Sequence, residues 1–215
     1  MDLLAKNYLN FSLWQVCKSN LLEFSLFVVD INHKCYNIDH FMQKPEEIEE
    51  IVNDDIDHYN HAFFYAIKNS DNKIIGTVRV CLWDEGLVFP LQRHFGIEIK
   101  EFINELSFRP NNIWHLGRLA VDHEEISHNP ILNKNRVAIF KVLLLAAFRH
   151  ICTDNNNVMI AECDSRLNEK VKLLGINSIP IGKNRQYLGS ETIPIYNTGK
   201  ELKQFLNKYG HVWDL

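Results

Sequence analysis

The stretch NRVAIFKVLLLAAFRHI, residues 135–151, constrains the fold more than any other part of the chain. Apolar side chains fall on every turn of it, so as a helix it has little face to offer water and has to be covered on most sides. A helix of that kind belongs inside a layered structure, packed on a sheet. The chain has the material for such layers: 215 residues, 46% of them apolar, with nine Gly, six Pro and no Gly, Pro or Ser-rich linker to divide it. Length and continuity predict one domain over residues 1–215.

The rest of the chain supplies the sheet. Residues 10–17 alternate as a strand does, and 20–36 have spacing nearer to helical. The acidic segment 44–55 (KPEEIEEIVNDD) reads as a solvated turn of helix or a loop. Two apolar runs, 61–68 and 73–83, flank the turn chemistry NSDN and predict an antiparallel hairpin. Residues 97–106 are helical in spacing, 112–122 (NIWHLGRLAVD) form a strand with polar residues at intervals, and 158–163 (VMIAEC) form a short buried strand. Helices are predicted at 166–175, ending at Gly175, and near 199–209. This order predicts a mixed α/β (α+β) sheet with helices on both faces. No GxGxxG comes after a strand and no P-loop is present, which disfavours nucleotide folds of those kinds.

Charge and cysteine usage narrow the function classes. A net charge of -4 repels nucleic acid unless a local basic patch intervenes. The longest apolar run, Val142 to Phe148, is far short of a bilayer crossing, and the first twenty residues lack a signal peptide's apolar stretch, so a cytoplasmic protein with no membrane span is expected. Five cysteines without a CxxC pair fit reduced core thiols, with neither disulfides nor zinc. Residues 54–61 (DDIDHYNH) crowd carboxylates and histidines together, but a strand entry does not guarantee the convergence a metal needs, and no metal is expected. No nucleophile-elbow pattern is present, which disfavours a triad hydrolase.

The ordered motifs DDID (54–57), IIGTVRV (74–80), IWHLGRLAVD (113–122), the helix from Asn135, LLGINSIPIG (173–182) and YLGSETIPIY (187–196) resemble those of the acyl-homoserine-lactone (autoinducer) synthases. They resemble equally the N-acyl amino acid synthases, and both groups belong to the GNAT-type N-acyltransferase superfamily. The resemblance spans roughly residues 9–205. It implies a GNAT-like splayed central sheet and transfer of an acyl group from an acyl-carrier-protein or CoA thioester to the amine of a small metabolite. No tightly bound cofactor is implied. The family's D-x-x-D pair falls on Asp54 and Asp57, and its G-x-x-R arginine on Arg79, which places these three at the acceptor pocket. The family's E-x-S-R-F segment falls on residues 115–119, keeping Arg118 and replacing the glutamate by His115. The early arginine of L-R-x-x-V-F falls on Asn32. These two departures leave open a catalytically silent GNAT-like module that binds a ligand or partner.

The residues themselves suit the implied chemistry. An amine attacking a thioester loses a proton, and His115 on a central strand could accept it. Arg118, three residues on, points to the opposite face of a regular strand and joins His115 only if a bulge intervenes. A helix beginning near Asn135 would offer unpaired N–H groups to the donor's phosphates, with Lys134 and Arg136 adding charge. The loop there, NKNRVA, keeps only the last small residue of the superfamily's Q/R-x-x-G-x-G/A, which favours an acyl carrier protein as donor. Lys134, Arg136, Lys141 and Arg149 are candidates to meet that acidic partner.

Overall fold

The computed structural model describes residues 1–35 and 45–214. The N-terminal hairpin, β1 (Leu3–Asn7) and β2 (Phe11–Gln15), leads into the helix α1 (Leu21–Cys35). Tyr36 and Lys44, the ends of two predicted segments, lie outside the described residues. The acidic segment is not a solvated turn but a full helix, α2 (Pro45–His58). Its Ile51, Asp54, Asp55 and His58 are buried, a helical i, i+3, i+4, i+7 face that happens to be mostly polar. A search for apolar runs overlooks such a face because its burial is secured by cations elsewhere.

The predicted hairpin is β3 (Ala62–Asn69) and β4 (Ile74–Leu82). Asn69 Oδ1 accepts from the N–H groups of Asp71 (3.0 Å) and Lys73 (2.9 Å), and Asn72 takes a φ of 62°, a region asparagine tolerates. Two short helices, α3 (Pro90–Phe95) and α4 (Ile99–Glu105), precede the strand β5 (Ile113–Val121). Next come α5 (His123–His128) and the long apolar helix α6 (Pro130–Ile151). The remaining elements are β6 (Val158–Asp164), α7 (Ser165–Leu173), short β7 (Ile179–Pro180) and β8 (Arg185–Tyr187), β9 (Ser190–Thr198) and α8 (Gly199–Tyr209).

These strands form a sheet in the order β1-β2-β3-β4-β5-β6-β9-β7, with β8 also on β9. Every pairing is antiparallel except β5 with β6. The run Val142–Phe148 of α6 is buried against one face, packed with Val78, Val80, Trp114, Leu116, Met159 and Ala161. Leu21, Phe24, Val28 and Ile31 of α1 cover the other face over Phe64, Ala66 and Ala120. Burying each such side chain is worth about 1.5–3 kcal/mol, so α6 alone anchors the layer it covers. The structure thus has the mixed sheet with helices on both faces that the element order predicts.

Two irregularities beside the central strand shape the site. Between β4 and β5 the register runs Thr77↔Ala120 and then Arg79↔Gly117, so Val78 faces both Arg118 and Leu119. Arg118 sits at this bulge with a φ of 56°, a region costly for a side chain of its kind. Between β5 and β6 the pairing stops after Ile113↔Val158, Trp114↔Met159 and His115↔Ile160, although both strands continue. The sheet parts there.

Candidate active site

The buried face of α2 presents its carboxylates to the sheet. Arg79 Nη1 donates to Asp54 Oδ2 and Asp55 Oδ1, both at 2.7 Å, and Arg118 donates from Nη2 to the same oxygen of Asp54 and from Nε to Asp55 Oδ1, both at 2.9 Å. The bulge brings Arg118 to the side of the sheet where Arg79 and His115 lie, which a regular strand would not do. Ser25 Oγ of α1 lies 2.8 Å from Asp55 Oδ2. Burial alone would raise the Asp54 carboxyl, but the guanidinium groups of Arg79 and Arg118 outweigh it and hold the group far below the usual carboxylate range.

The acidic pair is therefore Asp54 with Asp55, not Asp54 with Asp57. Asp57 is exposed and lies away from the cluster, because positions 54 and 55 share the buried face of α2 with 51 and 58. Arg79 is fully enclosed and bonded to Asp54, Asp55 and His115.

His115 is buried, with its ring stacked on Phe89, whose other neighbour is the ring of His58. Arg79 Nη2 stands 3.3 Å from its Nδ1, and Glu162 Oε2 stands 2.8 Å from its Nε2. A guanidinium can only donate, so Nδ1 accepts and the ring proton sits on Nε2, donated to the carboxylate. Neither nitrogen is left open to a substrate. The geometry thus sets His115 between Arg79 and Glu162, with both ring nitrogens engaged, whereas the sequence expectation has it accept the proton itself.

Glu162 is the residue that motif and spacing do not single out. Its one signal in the sequence is an acid inside the apolar run VMIAEC. Its side chain is only 6% exposed, and its second oxygen, Oε1, is buried without a hydrogen-bond partner. Burial pushes its carboxyl up, but His115 and then Arg79 more than offset this, so it lies below the ordinary glutamate value and is ionised at neutral pH.

Where β5 and β6 part, a cavity of about 170 Å³ opens. His115, Gly117, Arg118 and Glu162 line one part of it, and Tyr187 and Asn32 also border it. Leu144, Phe148, Met159, Ala161, Val171 and Ile195 line the part beneath α6 and α7. Cys163 also faces the cavity, with burial first, and Asp164 and Glu162 beside it, pushing its thiol up to about 12. It is protonated and a poor nucleophile at neutral pH.

The phosphate-binding expectation needs correction. The helix does not start near Asn135 but at Pro130, with Asn129 as its cap: Asn129 Oδ1 accepts from the N–H groups of Ile131 (3.0 Å) and Leu132 (3.2 Å). Lys134, Asn135 and Arg136 stand in the next turn, where the backbone N–H groups already serve the helix, so only side chains are on offer there. Lys141 and Arg149 lie over the rings of Tyr209 and Trp213 at 3.9 Å each, while Lys134 and Arg136 are exposed on the first turns of the helix.

The sequence profile of the N-acyl amino acid synthase FeeM family matches residues 27–189. No curated protein matches the chain in sequence. Among solved structures it is similar to FeeM, an N-acyl amino acid synthase from uncultured soil microbes, with a TM-score of 0.60 at 14% identity over 93% of this chain and 96% of that one. It is similar to a GNAT-family acetyltransferase from Staphylococcus aureus Mu50 (TM-score 0.56, 15% identity, 88% of this chain and 99% of that one). It also resembles BjaI, a CoA-dependent acyl-homoserine lactone synthase (TM-score 0.55, 13% identity, 90% of this chain and 83% of that one). The parted strands and the bulge therefore sit on a GNAT fold.

Proposed function

The chain belongs to the N-acyl amino acid synthase FeeM family, and from that premise we propose that it moves a fatty acyl group from a carrier-protein thioester to the amine of an amino acid. It is an enzyme of the N-acyltransferase class. The observation that carries the reading is the cavity where β5 and β6 part, since it joins an apolar compartment beneath α6 to a charged one at Arg118 and Glu162. An acyl chain suits the first, because each buried methylene contributes about 0.8 kcal/mol. An amine suits the second.

The parting also releases backbone N–H groups on β5 beyond His115 from pairing with β6, and these are suited to polarise the thioester carbonyl. The amine attacks that carbon directly. A C–N bond forms, the C–S bond breaks, and the proton lost by nitrogen balances the one gained by the departing sulfur. Cys163 takes no part, because its thiol stays protonated.

A carrier protein is preferred over free CoA because of the charge at the end of β5. Asp122 caps α5, and Glu124 and Glu125 occupy its first turn, so this helix start repels a pyrophosphate. The exposed Lys134 and Arg136 are available to an acidic carrier surface instead. The test is to mix purified protein with acyl thioesters of graded chain length, on carrier protein or on CoA, together with a panel of amino acids. Thiol release that depends on the amine, faster with the carrier protein, is expected. Thioester that stays intact with every amine would overturn the reading in favour of a silent binding module.

A further inference from the structure

The polar end of the cavity holds more buried negative charge than its enclosed cations neutralise. Asp54, Asp55 and Glu162 stand against Arg79 and Arg118, while the next cation, Arg93, is one-third exposed and divided between Asp54 Oδ1, at 3.1 Å, and Glu50 Oε1, at 3.5 Å. The two aspartates are each bonded to both enclosed arginines. The uncompensated charge therefore rests on Glu162. One of its oxygens is fixed by His115, and the other is buried without a hydrogen-bond partner, on a side chain that lines the cavity. A carboxylate oxygen kept from both water and partner is costly unless something arrives to meet it.

We propose that Glu162 is a catalytic residue that draws the acceptor in as its ammonium, holds the neutral amine left once one proton has gone to solvent, and takes a second proton from that nitrogen as the acyl group is transferred. The inference rests on the acyl-transfer reading and adds the residue that handles the nitrogen. Oε1 is the binding point for the incoming N–H. Once the C–N bond begins to form, the nitrogen becomes far more acidic than the free ammonium, and its proton passes to Oε1. Collapse of the tetrahedral intermediate breaks C–S, and the thiolate leaves with that proton, which regenerates the carboxylate. No oxidant or other reactant is needed. His115 is a positioning residue: its Nε2–H pins Oε2, and Arg79 fixes the tautomer that allows this.

The experiment compares wild-type protein with three variants, using acyl-carrier-protein thioester and the amino acid panel, with melting curves on each. Glu162→Gln, which can still accept from His115, is expected to lose roughly a hundredfold or more in kcat/KM for the amine, with KM for the thioester unchanged. Glu162→Asp keeps the charge but draws the oxygen back, and should fall between. Glu162→Ala should regain part of its rate when formate is added, since formate can enter the vacated space as a carboxylate, whereas Glu162→Gln should not. A Glu162→Gln protein that turns over at the wild-type rate, or an alanine variant blind to formate, overturns the inference while acyl transfer stands. Wild-type protein without amine-dependent thiol release overturns the reading beneath it.

Discussion

At the scale of single residues, His115 shows how an apparent substitution can be half of a paired change. Taken alone, an imidazole in place of a glutamate looks like a new base. In the fold, both of its nitrogens are taken, and its effect is exerted on Glu162, forty-seven positions later. The consequence is measurable. Removing the donor in His115→Ala leaves burial less opposed, so the Glu162 carboxyl should rise from its present low position. The acid limb of the kcat/KM profile for the amine should then move to higher pH, which loss of packing alone would not produce. Asp54, Arg79 and Arg118 are legible in the sequence because their spacing on strand and helix carries a pattern. Asp55 and Glu162 are not, because their importance comes from register across strands and from one helical face, neither of which a linear motif displays.

At the scale of elements, hairpin, central strand and buried helix are all readable from periodicity and turn chemistry. Two departures from that pattern have a common origin. The segment 44–55 reads as solvated because its inner face is acidic, and α6 reads as starting late because the polar run 133–136 (NKNR) interrupts its apolar pattern. In both, the ordering force is local and polar: ion pairs to Arg79 and Arg118 for α2, and the Asn129 cap with Pro130 for α6. Asn129→Ala should therefore cost about 1 kcal/mol of stability. In a protein of this size that corresponds to a Tm lowered by about 2–4 °C, without loss of acyl transfer. A helix starting at Asn135 would leave the Tm unmoved. Melting of the two proteins side by side decides between these starts.

At the scale of the molecule, buried titratable groups make stability depend on pH in both directions. Burial lowers the pKa of His58, His123 and His150 from 6.5, so the unfolded chain binds their protons first and stability is lost as pH falls through that region. Asp54 and Glu162, depressed below their ordinary 3.8 and 4.5, and Asp2, held at about 2, extend the loss at lower pH. Cys81, Cys152 and Cys163 are raised from 9.0 to about 12, so the contribution of their neutral forms is intact below 9 and erodes as pH climbs towards 12. Tm tracked across pH should describe a plateau between these limits, with its acid shoulder beginning near 6.5. The parted strands also divide the sheet. Seven residue pairs join β3 to β4, and seven join β6 to β9, but only three join β5 to β6. The sheet is thus two well-joined halves meeting at a narrow seam, and the open end of that seam is where the cavity lies.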